Sequence, residues 1–224
     1  MPTVIKPRSR GEQTRQAILA RALKISAQEG LAALTIGRLA KELQLSKSGL
    51  FAHFHSKQAL ELATIAKAEE FFADAVLRPA QASGDGIERL WNLCDLWLLH
   101  IERHEFSGSY FFTGAFFEHA DQPGPLSKAV KSAAHEWINA LRKAIEAGQE
   151  QGEIDPDAEA KQVASELNAR LVGAYWEYLL GGGNSLREAR TTLLGRLREL
   201  APAPTPASAF ESVGAWKKYL EKKR

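Results

Sequence analysis

The chain has 224 residues, 45% hydrophobic and 25% charged, proportions of a globular domain that exclude a disordered, collagen-like or membrane-spanning chain. Its net charge of +2 is unevenly spread: residues 1–60 hold ten Lys and Arg against three Asp and Glu, a net of +7, and residues 61–224 hold nineteen against twenty-four, a net of −5. A basic head on an acidic body points to a polyanionic partner, because Lys and Arg that neutralise phosphates release condensed counterions; a merely solvated basic surface is the alternative.

The N-terminus, MPTVIKPRSRGEQTRQ, lacks the apolar core of a secretory leader. No stretch approaches the ~18 apolar residues of a membrane span, so a cytoplasmic location is expected. Residues 1–10 read as a flexible basic arm, in which Lys6, Arg8 and Arg10 are placed to enter a minor groove, to follow a phosphate backbone, or simply to stay solvated. From there to about residue 200 nearly every long segment has helical periodicity, and no sustained two-residue alternation marks a strand. Breaks at Gly30, Gln44 to Ser46, Ser83 to Gly86, Gln122 to Pro125, Gly152 to Pro156 and Gly181 to Asn184 divide the chain into about nine helices. The expected fold is therefore all-α: a three-helix head over 11–55, a larger helical body over 56–200, and over 201–224 a Pro-rich linker with a short amphipathic tail ending in Lys222, Lys223 and Arg224.

Within the head, Ile18, Ala22 and Ile25 line a support helix that ends at Gly30. Thr35 is placed to cap a second helix with Ile36, Leu39, Ala40 and Leu43 on one stripe. After a tight break, Ser46 is placed to cap a third, short helix whose Leu50 and Phe54 face inward. This is helix-turn-helix spacing. A major groove about 12 Å wide admits one such helix, N-terminal side chains first, so Ser46, Lys47, Ser48 and Gly49 are candidate DNA contacts. Lys47 suits guanine O6/N7 or a phosphate, and Gly49 leaves room for close approach. Ser56 reads as the cap of a long connecting helix running to about Leu77, whose first amides with Lys57 form an anion site. His53 and His55, two apart, are poorly spaced to chelate one metal; His53 suits a phosphate.

Over residues 12–62 this pattern resembles the TetR family of bacterial transcription regulators: Gly30, Leu34-Thr35-Ile36, Leu39-Ala40, Leu45-Ser46-Lys47, Leu50-Phe51, His53-Phe54 and Ser56-Lys57 fall where that family's motif places them. The resemblance implies a two-fold dimer with phosphate contacts on Thr35, Phe51, His53 and Lys57. Phe51 stands where the family often has Tyr, which removes a phenolic hydroxyl and leaves apolar packing. Ser26 occupies a position often filled by Phe, which implies looser packing of the first helix.

In the body, residues 87–119 concentrate Trp91, Trp97, Phe106, Tyr110, Phe111, Phe112, Phe116 and Phe117. With Cys94, Trp137, Tyr175 and Trp176 these form either an apolar effector pocket or a solid aromatic core; the family resemblance implies effector binding in this domain. Cys94 is the only cysteine, which excludes an intrachain disulfide scaffold and a cysteine-built zinc site, and it reads as a small buried hydrophobe. His100 and His104, four apart, are accounted for by a solvated polar face, and no metal site is assigned. No triad, nucleotide-binding glycine loop or carboxylate pair stands out, so neither an enzyme nor a cofactor is expected.

The last two long helices, about 157–180 and 185–200, carry the stripes Val163, Leu167, Leu171, Ala174, Tyr178 and Leu186, Leu193, Leu197, Leu200. They are suited to an antiparallel hairpin and, against a second copy, to the isologous four-helix dimer that the resemblance implies. Purely intramolecular packing is the alternative. The expected function is a dimeric, ligand-responsive transcriptional regulator of double-stranded operator DNA, by family habit a repressor. A helical-bundle enzyme or carrier and an effector-free DNA-coating protein are its rivals.

Overall fold

A computed structural model describes residues 9–103 and 111–201; the arm residues Lys6 and Arg8, Phe106, Tyr110, His104 and the tail from 202 onward lie outside them. The described residues are helical with no strand, and they cluster into two compact units, residues 9–71 with 111–134 and residues 72–103 with 135–201. No helix among them is long and apolar enough to cross a membrane.

The first unit holds the head. Helix α1 (Arg10–Glu29) starts at Ser9, whose Oγ accepts the amide of Glu12 at 3.2 Å. It stops at Gly30, where φ of +85° suits a residue without a Cβ. A 3₁₀ turn (Leu31–Ala33) leads to α2 (Ile36–Glu42), α3 (Lys47–Phe54) and α4 (Lys57–Phe72). Ile18, Leu34, Leu39, Leu50 and Leu60 are fully buried in one core; each such side chain contributes about 1.5–3 kcal/mol relative to exposure. Helix α7 (Phe111–His119) enters the same core through Phe111 and Ala115, and Val130 of α8 (Pro125–Glu150) joins them. Ser26, at the position where a larger ring is common, is buried with its hydroxyl donated to the Ala22 carbonyl at 2.9 Å. The polar group is thereby satisfied.

The connecting helix extends past the expected end near Leu77. Through a π-helical turn at Ala73–Leu77 it runs on into α5 (Arg78–Ala82), so that α4 and α5 count as one of nine continuous helices among the described residues. Pro79 supplies the reason. It has no amide to donate and in a regular α-helix its ring would clash with the carbonyl four residues back, and a widened turn, in which the Arg78 amide donates to Ala73 O, accommodates both.

In the second unit α6 (Gly86–Glu102) is the central rod, with Ile87, Leu90, Trp91, Cys94, Trp97 and Leu98 all buried. The later part of α8, α9 (Ala160–Leu179) and α10 (Ser185–Leu200) complete the unit. Arg190 of α10 bridges Asp95 at 2.6 Å and Glu102 at 2.6 and 3.1 Å, two carboxylates of α6. Glu159 caps α9 by accepting the amides of Lys161 and Gln162. The start of α6 and the end of α8 approach at Gly86 and Gly148, where a Cβ on Gly86 would stand 3.1 Å from Gly148 Cα.

Candidate nucleic-acid interface

The turn between α2 and α3 is built by backbone hydrogen bonds. The amides of Gln44 and Leu45 donate to Lys41 O and Ala40 O, closing a Schellman-type cap with Gln44 left-handed at φ +55°. Thr35 Oγ1 accepts the Arg38 amide at 3.1 Å, and Ser46 Oγ accepts the Gly49 amide at 3.0 Å, so both helices begin on the expected side-chain caps. Leu50 and Phe54 turn α3 onto the core, and on its other side Lys47, Ser48, Gly49 and Phe51 are exposed, Phe51 by 50%. Lys47 passes over Gly37 of α2, where an added Cβ would sit 3.5 Å from Lys47 Cε; sequence spacing alone did not reveal this support. Among the described residues Lys47 forms no ion pair, and it stands at a helix N-terminus, where the backbone adds partial positive charge.

The other candidate contacts surround this face. Phe51 meets His55 edge-on at 6.3 Å, and His53, half-buried, lies against Phe54 at 6.3 Å. His55 closes α3 in the left-handed region at φ +60°. Ser56 Oγ accepts the Ala59 amide at 3.0 Å and so caps α4, while Lys57 Nζ donates to the Ala32 carbonyl at 3.1 Å and lies 3.4 Å from Glu61. Arg10 is the first residue of α1.

Two further cations of the head are engaged internally, a network the sequence pattern does not reveal. Arg38 bonds to Glu29 and Glu42, and Arg21 to Glu42. The Arg38 hydrogen bonds hold the Glu29 and Glu42 carboxyls below their ordinary value and raise the guanidinium's own.

A short basic helix, capped, exposed at its N-terminal side and carried by a three-helix core, has the geometry for insertion into a major groove. Residues 18–64 match a profile described as bacterial regulatory proteins, tetR family, and residues 86–193 match one described as Tetracyclin repressor-like, C-terminal domain. The chain belongs to the TetR family of bacterial transcription regulators. TetR-family proteins bind DNA through this helix-turn-helix and respond to ligands.

Solved structures give the same fold. A TetR regulator from Chloroflexus aurantiacus is 24% identical with a TM-score of 0.77, over 85% of this chain and 97% of that one. A transcriptional regulator from Saccharomonospora viridis, in complex with choline, is 24% identical with a TM-score of 0.72, over 85% and 98%. AibR, in complex with isovaleryl coenzyme A and operator DNA, is 21% identical with a TM-score of 0.63, over 84% and 98%. No curated protein matches this TetR-family chain by sequence.

The aromatic residues of this TetR-family chain divide between the two units. Phe111 and Phe112 stack edge-on at 5.3 Å in the head's core cluster, and Phe116 and Phe117 on the same helix are exposed. In the second unit Trp91, Cys94, Trp97, Trp137 and Tyr175 are buried, while Trp176 is 55% exposed. Trp137 donates its indole N–H to Asn168 Oδ1 at 3.0 Å and meets Phe72 edge-on at 5.6 Å. Burial, with Asp95 adding to it, pushes the Cys94 thiol up to about 12. Of the two apolar stripes on α9 and α10, nearly all residues are buried within the one chain, Tyr178 being half-buried. The large apolar residues left exposed there are Trp176, Leu179 and Leu180.

Proposed function

We propose that this protein is a repressor that binds a pseudo-palindromic operator as a homodimer and leaves it when a small, largely apolar or aromatic effector occupies the C-terminal domain. The observation that carries this reading is the exposed N-terminal side of α3, where Ser46, Lys47, Ser48 and Gly49 stand free of the core. Lys47 and Ser48 reach base edges, and Thr35, His53 and Lys57 hold phosphates, with Phe51 packed beside them. Dimerisation runs through residues 157–200 and uses Trp176, Leu179 and Leu180, apolar side chains that are exposed on a single chain. Two linked heads spaced about 34–36 Å apart read two half-sites, and linkage supplies the affinity one short helix lacks.

Release is a population shift. An effector that prefers one arrangement of the body by about 1–3 kcal/mol changes operator affinity some 5–150-fold. The complexes of two structural relatives with choline and with isovaleryl coenzyme A support a ligand-binding role for the body, and the buried ring set around Trp91, Cys94, Trp97, Trp137 and Tyr175 favours an apolar or aromatic one.

Selection of bound sequences from random duplex DNA tests the reading. A two-fold repeated motif with half-sites one helical turn apart is the expected result. Sequence-blind binding, or no binding at low ionic strength, overturns it.

A further inference from the structure

We propose that Glu118, 87 residues beyond Leu31 in the chain, is a positioning residue for DNA binding: its carboxylate fixes the turn after α1 and, through it, the starts of α2 and α4. The inference rests on the DNA-binding reading above and adds to it a residue outside the helix-turn-helix.

Glu118 projects from α7 to the 3₁₀ turn. Its Oε2 accepts the Leu31 amide at 2.9 Å and its Oε1 the Ala32 amide at 2.8 Å. These two amides begin a helical turn and have no carbonyl behind them to accept, so the carboxylate stands where main-chain acceptors are missing. Hydrogen bonds to an ionised acceptor are roughly twice as strong as neutral ones. Gly30 makes the approach possible: a Cβ there would lie 3.1 Å from Glu118 Oε2, and its φ of +85° disfavours any side chain. The helix carrying Glu118 is itself seated, with Phe111, Ala115 and His119 buried. His119 Nε2 lies 3.7 Å from Glu118 Oε1.

From the turn the contacts continue to both phosphate-facing helix starts. The Ala32 carbonyl accepts from Lys57 Nζ at 3.1 Å, and Lys57, at the first residue of α4, is paired with the buried Glu61. Thr35, the α2 cap, follows three residues after Ala32 in the chain. Thr35 and Lys57 are thus tied to one short backbone segment, and that segment is held from outside by Glu118. The carboxylate lies in residues 86–193, matched to the C-terminal domain, and not in residues 18–64, matched to the DNA-binding domain. The alignment of the DNA contacts consequently depends on both parts of the chain.

The test compares full-length wild type, Glu118→Ala and Glu118→Gln on a duplex taken from the random-DNA selection, at a temperature where circular dichroism shows each protein fully folded. Amide hydrogen exchange at Leu31 and Ala32 is read in parallel. Glu118→Ala is expected to raise Kd about tenfold and to speed exchange of both amides. Glu118→Gln, which keeps one accepting oxygen, is expected to fall between wild type and Ala. A folded Glu118→Ala with wild-type Kd and faster exchange overturns the proposal, and so does unchanged exchange. Should Glu118→Ala fail to fold, the same criteria applied to Glu118→Gln decide. Wild type that binds no duplex is a separate failure, that of the regulator reading, and removes this proposal with it.

Discussion

Arg38 sets a forked guanidinium on Glu29, Nη1 2.7 Å from Oε2 and Nη2 2.6 Å from Oε1, and so ties the first turn of α2 to the last residue of α1. Its Nε donates to Glu42 Oε1 at 3.0 Å. Because the hydrogen bonds from Arg38 lower the Glu29 and Glu42 carboxyls from 4.5, their contribution to stability is present above the unfolded value and is lost as pH falls through the folded one. Both groups are exposed, so the effect is modest. Arg38→Ala is expected to have a lower melting temperature than wild type at pH 7, with the gap closing below about pH 4.5. A gap that stays constant from pH 7 to pH 3 contradicts this network.

Gln44 occupies the left-handed region at φ +55° in the turn between α2 and α3. A residue with a Cβ is disfavoured there and glycine is not, while glycine loses more freedom on folding. With about 1–2 kcal/mol of left-handed strain removed against about 0.5–1 kcal/mol of extra chain entropy lost, Gln44→Gly is expected to raise stability by about 0.5–1 kcal/mol, read as a higher urea midpoint at unchanged slope. A lower midpoint would mean that the Gln44 side chain contributes a contact larger than its backbone strain.

Lys47 and Lys57 are expected to separate base reading from phosphate binding. Lys57→Ala should lower the slope of log affinity against log salt by about one unit and leave sequence preference intact. Lys47→Ala should cost about 1–3 kcal/mol on the selected duplex and relax preference at one base pair. Binding measured from 50 to 300 mM salt, on matched and singly altered duplexes, distinguishes the two; a changed preference in Lys57→Ala counts against its phosphate role.

Gly86 opens α6 at φ +61°, and a Cβ there would stand 3.1 Å from Gly148 Cα and collide with the Glu153 carboxylate, which accepts the Ile87 amide at 3.1 Å. Gly86→Ala is expected to destabilise the protein by about 1–3 kcal/mol. Thermal melting at pH 7 checks it, and an unchanged melting temperature would show that α6 can begin elsewhere.

Much of the head was legible because its signals are local. Thr35, Ser46 and Ser56 each accept an amide three residues on, and Leu39, Leu50 and Phe54 fall on stripes that a helical period predicts. What could not be read depends on contacts between distant residues. Nothing around Glu118 announces that its partners are Leu31 and Ala32, and the sequence run from Trp91 to Phe117 gives no sign that Phe111 and Ala115 cluster with Leu39 and Leu50. Pro79 was visible, but a proline inside a helical pattern signals an end as readily as a widened turn. For the ring set, periodicity identifies residues that face inward without saying whether they enclose a ligand. The α9 and α10 stripes have the same ambiguity, since one apolar face serves a neighbouring helix or a second copy equally well.

The sealed thiol of Cys94 has a practical corollary. With no other cysteine in the 224 residues and this one fully enclosed, native protein offers electrophilic dyes no thiolate to attack. A cysteine introduced at an exposed site such as Ser48 would take up a fluorophore or spin label alone, with no native residue sacrificed beforehand. Distances between two such labels, one on each head of a dimer, would then follow the separation of the heads as candidate effectors are added.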